Sequence, residues 1–228
     1  LLCVSGGSDS IAMMHIMQKI CNQTQPSMPV GIIFFNHKKR TESDEEEIFV
    51  KNLAKSYDLP FFSETLPENM RDPISFQERA RDWRRNISMK IIKQLEESTV
   101  NDNKEEIGEF LICTAHTKDD QIETMLMKFL RGVHITNFQG MKILEGKFFK
   151  PLLNISKTDL IKYLEKNQYK WYEDISNQHK EYTRNKIRLD LIPLMEELCG
   201  GKHSLYEKLF RLSIQSNEIK DWIDDEVR

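Results

Sequence analysis

Apolar residues along this chain alternate between short continuous runs and stripes that recur every three or four positions. Leu1-Leu2-Cys3-Val4, Val30–Phe35, Pro60–Leu66, Phe110–Thr114 and Phe148–Leu153 are short runs, and each predicts a strand. Val30–Phe35 is apolar throughout, as expected of a strand covered on both faces. Between them lie helical stripes. Ile11, Met14 and Met17 share one face; Val50, Leu53, Ala54 and Tyr57 share another, behind a capping pattern Ser43-x-x-Glu46. Ser75-x-x-Glu78 opens a helix carrying Phe76, Ala80, Trp83, Ile87, Ile91 and Leu95, and Ile122, Met125, Leu126 and Phe129 mark a helix that stops near Gly132. Ser156-x-x-Asp159 caps a helix to about Asn167 with Leu160, Ile161 and Leu164 inside. Residues from Thr183 to about Leu198 form another helix, bent at Pro193, and Ser204–Arg228 form a last long one. Residues 96–108 are polar and acidic and predict a surface insertion. The alternation implies an α/β fold: a doubly wound parallel sheet, Rossmann-like, with a C-terminal helical extension. The expected division is 1–198 for a catalytic domain and 199–228 for a helical linker.

Sheets of this kind bind ligands at the carboxyl ends of their strands. Ser5-Gly6-Gly7-Ser8-Asp9-Ser10 lies there, between the first strand and the first helix. Small residues let the backbone close around phosphate oxygens, and the unpaired N–H groups of a helix start point at them. The hydroxyls of Ser5, Ser8 and Ser10 add donors. Asp9 repels phosphate unless Mg²⁺ stands between them, so it is a candidate metal ligand. No Gly-Lys-Ser/Thr and no G-x-G-x-x-G is present. The loop resembles the S-G-G-x-D-S loop of the ATP pyrophosphatases, which implies an adenine nucleotide alpha hydrolase-like fold, cleavage of ATP between its α and β phosphates, and pyrophosphate held by Ser5–Ser10.

A second constellation, His116-Thr117-Lys118-Asp119-Asp120-Gln121-Ile122-Glu123-Thr124, follows the strand Phe110–Thr114 and opens the next helix. Asp120 and Glu123 are three apart, so both project from one face of the first turn. Acids there also cap helices and oppose the dipole. With His116 they suit a divalent metal, with Asp120 and Asp9 as ligands, and a cationic substrate amine; His116, Asp120, Glu123 and Asp9 are the catalytic candidates.

Charge and cysteine usage narrow the setting. Net charge is −3, with 39% hydrophobic and 30% charged residues, so the chain has enough apolar content for a core and no global basic excess. Basic residues cluster at Lys38-Lys39-Arg40, at Arg79, Arg81, Arg84 and Arg85, and at Arg184, Lys186 and Arg188. Cys3, Cys21, Cys113 and Cys199 are scattered without a C-x-x-C pair, which fits a reducing compartment and not a secreted disulfide framework. No apolar run approaches the roughly 20 residues that span a bilayer. The chain starts at its first strand without Met, so residues are expected upstream.

Together the motifs resemble the tRNA(Ile)-lysidine synthetase family. S-G-G-x-D-S stands at Ser5–Ser10, H-x-x-D-D-Q-x-E-T at His116–Thr124, and L-x-R-G resembles Leu130-Arg131-Gly132. The resemblance continues through Gly140-Met141, Lys150-Pro151-Leu152-Leu153, Glu173–Asn177 and Tyr182–Arg188, covering about residues 1–198. One segment departs: the family's V-D-H-G-L-R is Phe35-Asn36-His37-Lys38-Lys39-Arg40, with Asn for Asp. The resemblance implies a two-step ligation. The C2 oxygen of the wobble cytidine of tRNA(Ile) with a CAU anticodon attacks the α-phosphate of ATP, and pyrophosphate leaves. The ε-amine of L-lysine then displaces AMP from C2. It implies ATP as substrate, Mg²⁺ near Asp9, lysine bound by acids such as Asp120 and Glu123, and His116 as proton acceptor. Arg81, Arg84, Arg85, Arg184 and Arg188 become candidates for the tRNA backbone, and Trp83 for base stacking or core packing. A homodimer is one assembly this allows. Bacterial cytoplasm and plastid stroma both fit, and secretion does not.

Three other functions compete. A tRNA thiolase of the same superfamily activates a base identically, and delivers sulfur through a cysteine pair or iron–sulfur cluster; no C-x-x-C exists here. Amide-forming pyrophosphatases such as NAD or GMP synthetase lack the second and last motifs. A non-catalytic ATP-binding module has no need of the acidic cluster.

Overall fold

The computed structural model of the chain describes residues 1–24, 28–38, 42–70, 76–101, 109–173 and 183–226. Strand β1 (Leu2–Cys3) leads into helix α1 (Ser8–Gln23), β2 (Ile32–Asn36) into α2 (Glu42–Ser56), and β3 (Phe61–Thr65) into α3 (Phe76–Asn101). Then come β4 (Ile112–Cys113), α4 (Lys118–Leu130), β5 (Leu144–Glu145), β6 (Phe148–Phe149) and α5 (Lys157–Lys166). Four helical pieces follow: α6 (Thr183–Lys186), a π-helical stretch (Ile187–Leu191), α7 (Ile192–Cys199) and α8 (Lys202–Glu226).

The strands form one sheet in the order β3-β2-β1-β4-β6-β5. Every pairing is parallel except β5 with β6. Chain order reverses between β1 and β4, so the carboxyl ends of these neighbours form the switch point where such sheets bind ligands. The mostly parallel sheet with flanking helices is the expected fold class. In β2, Ile32, Ile33 and Phe34 are buried, as its unbroken apolar run requires. β3, at the sheet edge, is half-buried or exposed along its length. Helix α1 packs on β1, α2 on β2 and β3, and α3 on β4.

Packing divides the chain into two compact units. One comprises Leu1–Ala115, Ile143–Leu152 and Thr158–Glu173, and contains the sheet; the other comprises His116–Lys142, Leu153–Lys157 and Asp174–Arg228. The reason lies in the second core. Ile122, Met125 and Leu126 of α4 share it with Ile187 and with Leu205, Tyr206 and Leu209 of α8, so the last helix belongs with α4.

Local departures from the sequence have simple causes. Ser43 lies inside α2 and does not cap it. Residues 96–101 continue α3, helped by the good helix formers Glu96 and Glu97; 102–108 and Ser75 lie outside the described residues. Phe129 is 67% exposed, although it falls on the apolar stripe of α4, whose last turn leaves the core. The β5–β6 hairpin, turning through Gly146 at φ +57°, is too short to show an alternation. Pro193 sits in the first turn of α7, just beyond the π-helical stretch, where the bend was expected. Trp83 is 7% exposed with Phe35 edge-on at 5.2 Å, a core residue.

One buried group titrates. His15 of α1 is 5% exposed; its Nδ1 lies 3.0 Å from the Tyr57 hydroxyl, and its ring stacks on Tyr169 with centroids 3.5 Å apart. Burial pulls its pKa from 6.5 down to about 4. Between those values the unfolded chain binds a proton that the folded chain refuses, so stability falls as pH falls, by about 1.4 kcal/mol per pH unit. His15→Gln is expected to remove about 2 kcal/mol of pH sensitivity between pH 7 and 5. Urea unfolding at both pH values measures it, and equal slopes in the two proteins would show that His15 is charged in the fold.

Candidate functional site

The loop leaving β1 is built around one left-handed residue. Gly6 sits at φ +88°, a conformation that a side chain strains, and Val50 of α2 lies where its Cβ would come within 3.8 Å. Its carbonyl accepts the Tyr172 N–H at 2.9 Å, and Gly7 bridges to Tyr172 as a short parallel pair, so the loop is held from the segment after α5. Gly7 is the N-cap of α1 and provides no side-chain cap. Ile11 N–H closes the first helical bond onto the Gly7 carbonyl. The N–H groups of Ser8, Asp9 and Ser10 precede that bond, at the helix start where an anion is received. Ser10, 5% exposed, braces the turn: its hydroxyl donates to the Gly7 carbonyl at 2.9 Å and accepts from Ser5 N–H at 3.1 Å. Ser8 Oγ donates to Asp9 Oδ1 at 3.4 Å. The arrangement is a cradle for an anion with a carboxylate beside it.

The second constellation belongs to the other compact unit. Thr117 is the N-cap of α4 and closes a capping box with Asp120. Asp120 Oδ2 accepts from the Thr117 N–H at 2.8 Å and hydroxyl at 3.0 Å. Its Oδ1 takes the Arg184 Nη2 at 2.8 Å. Glu123 is 1% exposed and carries two guanidinium groups: Arg184 Nε at 2.6 Å on one oxygen and Arg188 Nε at 2.5 Å on the other. Arg188 Nη2 adds a contact at 3.1 Å. Asp119 pairs with Lys202 and accepts the Lys157 N–H at 2.8 Å. His116 is half-buried in the link from β4 to α4.

Thus Asp120, Glu123, Arg184 and Arg188, read from sequence as separate acids and separate tRNA contacts, form one ion network. Among the described residues no group of three or more His, Cys, Asp or Glu side chains is arranged to hold a metal. Of the α3 arginines, Arg81 is exposed; Arg84 is exposed over its length but sets its Nε on the Ala80 carbonyl at 3.3 Å, and burial pulls its pKa down; Arg85 lies 4.0 Å over the Phe148 ring. Tyr182 and Asp174–Asn177 lie outside the described residues. The cysteines are free, and burial pushes the Cys3 thiol up to about 11 and raises Cys21 and Cys113 as well.

The sequence assigned no role to Gln121, within the second motif. Its amide accepts the Met141 N–H at 2.6 Å and donates to the Met141 carbonyl at 2.9 Å, clamping the following loop as a strand partner would. A Cβ on Gly140 would come within 2.5 Å of Gln121 Oε1, so the clamp requires glycine there. The Gly140-Met141 pair in the sequence was the available signal.

Comparison with known proteins accords with these motifs. The profile of the PP-loop domain family matches residues 1–195. The tRNA(Ile)-lysidine synthase of Bacteroides thetaiotaomicron is 34% identical over 211 residues, 91% of this chain and 46% of that one. That of Streptococcus pyogenes serotype M1 is 31% identical over 86% of this chain and 41% of its own. That of Chlorobaculum tepidum is 29% identical over 98% and 64%. The chain therefore spans about half the length of the curated relatives it matches. The solved U34-tRNA thiolase NcsA from Methanococcus maripaludis with its 4Fe-4S cluster superposes with a TM-score of 0.62 at 18% identity, covering 92% of this chain and 71% of that one, which shows a shared fold.

Glu123→Gln leaves two guanidinium groups facing a neutral amide in a buried position. It is expected to cost about 2 kcal/mol, less than a fully buried pair because both arginines are partly exposed. A thermal melt should fall by roughly 4–8 °C. Gly140→Ala should cost about 1–2 kcal/mol through the Gln121 clash. An unchanged melting temperature for either would show that the network or the clamp carries no stability.

Proposed function

The chain belongs to the PP-loop domain family, and we propose that it is the ATP-dependent catalytic portion of a tRNA(Ile)-lysidine synthase. The observation that carries this is the similarity to enzymes of that name, up to 34% identical along most of the chain. The loop chemistry supports it independently. An uncapped helix start behind a left-handed glycine receives a pyrophosphate, as nucleotide cleavage at the α-phosphate demands. Asp9 in the first turn fits Mg²⁺, which is held by one or two carboxylates together with substrate phosphates and needs no all-protein cage. When bound, Mg²⁺ neutralises charge on the leaving pyrophosphate.

The wobble cytidine of a tRNA(Ile) with a CAU anticodon presents its C2 oxygen to the α-phosphate; pyrophosphate departs and the base carries AMP. The ε-amine of L-lysine attacks C2 and AMP leaves. The amine must lose a proton to attack, and His116, half-buried and the imidazole of the motif, is the residue type suited to accept it. Glu123, closed by two guanidinium groups, positions Arg184 and Arg188 and does not meet lysine. Asp120 keeps the cation-binding role: its side chain is 18% exposed, and lysine would compete there with Arg184 Nη2. Arg81 and Arg84 are the arginines left for tRNA phosphates.

Sulfur delivery by a thiolase-like chemistry has less support. The four cysteines are free, and burial raises the thiols of Cys3, Cys21 and Cys113, so these three are not activated thiolates.

Full-length protein incubated with ATP, Mg²⁺, labelled lysine and tRNA is expected to incorporate lysine, and with labelled ATP alone to transfer AMP to tRNA. Asp9→Ala should lower both by about a hundredfold. Pyrophosphate release without lysine incorporation would sink the ligase assignment. Arg81→Ala and Arg84→Ala are expected each to reduce the salt slope of tRNA binding by roughly one unit. Unchanged slopes would move the tRNA surface elsewhere.

A further inference from the structure

The end of β2 holds the segment that departs from its family pattern, and its geometry gives the departure a cause. Asn36, the last residue of β2, is fully buried. Its amide nitrogen donates to Asp44 Oδ1 at 2.9 Å and to Glu47 Oε2 at 2.7 Å, while its Oδ1 accepts the Lys38 N–H at 2.9 Å. Both amide hydrogens are used, each on a carboxylate of α2. Lys38, held at φ +47°, pairs with Asp44. Ser63 of β3 donates to the other oxygen of Glu47 at 2.5 Å. Lys38 first, and Asn36 next, hold the Asp44 carboxyl below its ordinary range.

An aspartate at this position has no hydrogen to give at neutral pH. It would set a third carboxylate against Asp44 and Glu47 from a fully buried position, and like charges at that distance repel. The amide is therefore matched to this chain's own acids. The helix it anchors reaches the phosphate loop. Glu46 and Val50 stand one turn apart on α2, and each lies 3.8 Å from the point where a Gly6 Cβ would be. Phe49, between them in sequence, packs edge-on against Tyr172, whose N–H holds the Gly6 carbonyl. One face of α2 thus backs the turn that shapes the anion cradle, and Asn36 ties the first turns of α2 to the sheet.

We propose that Asn36 is a positioning residue for the phosphate loop, acting through Asp44 and Glu47 to seat α2 behind Gly6, and that Asn36 and Glu47 form a matched amide–carboxylate pair. This rests on Ser5–Ser10 binding the phosphates of ATP, and it deepens that assignment by naming what holds the loop in shape. The Glu47 half of the role is exchangeable: an aspartate at 36 is compatible with a glutamine at 47, where donor and acceptor trade places, while the more exposed Asp44 keeps its pairing with Lys38.

The test measures the dissociation constant for ATP with Mg²⁺ and the hydrogen exchange of the Gly6–Ser10 amides. It compares the wild-type chain, N36D, E47Q and the double variant N36D/E47Q. N36D is expected to weaken ATP binding about tenfold and to speed exchange in the loop; the double variant is expected to return both to within about threefold of wild type. If N36D proves too unstable to assay, a folded double variant with wild-type affinity gives the same support. N36D with unchanged affinity and exchange, or a double variant no better than N36D, overturns the proposal. Wild-type protein that binds neither ATP nor pyrophosphate would overturn the nucleotide assignment itself, and the wild-type arm alone reveals that.

Discussion

A helix start without a cap is the constraint on which the sheet-bearing unit is arranged. The first N–H groups of α1 need acceptors, and Gly7 in the capping position provides none. Elsewhere the chain does cap: Thr117 closes a full box with Asp120 at the start of α4. At α1 the capping position is a glycine, which leaves the helix start open to an anion's approach. The turn that exposes it requires the left-handed conformation of Gly6, and that turn is held by Tyr172 on one side and backed by α2 on another. The position of this loop at the reversal of strand order is what the parallel sheet provides.

The other unit solves an opposite problem, the cost of burying charge. Glu123 is almost fully enclosed, and a lone carboxylate there would be prohibitive. Two guanidinium groups compensate it, and they reach it from two successive turns of the chain because Arg184 and Arg188 flank the start of the π-helical stretch. Asp120 divides its oxygens between a backbone cap and Arg184. The acids of α4 therefore order a helix terminus and a distant segment at once. Asp119 extends the same principle to the Lys157 N–H and to Lys202.

Much of this was legible in the sequence, for identifiable reasons. Long stripes and unbroken apolar runs located α1, α3, α4, α8 and β2, since burial on a fixed period leaves a strong mark. The Ser5–Ser10 loop was legible because only small residues make that turn. Strand β5 was not, because Leu144-Glu145 is an exposed pair outside any apolar run. The union of α4 with α8 was not, since a shared core joins positions far apart in the chain. The pairing of Arg184 and Arg188 with Glu123 was hidden for another reason. Each residue type had a sufficient role alone, arginine with phosphate and glutamate with amine, and only spatial proximity shows that they satisfy one another. Asn36 was visible as a departure, but its cause lay in Asp44 and Glu47 across a turn.

The π-helical stretch has an evolutionary consequence. Its closing bond runs from Ile192 N–H to the Ile187 carbonyl, five residues back, the width of one inserted residue in an otherwise α-helical path. Each residue in an α-helix turns the chain by about 100°. Loss of a single codon between Arg184 and Arg188 would swing one guanidinium off the Glu123 carboxylate. The segment can therefore tolerate substitution far more readily than a change in length, and descendants of this gene should vary in spelling here while keeping the count.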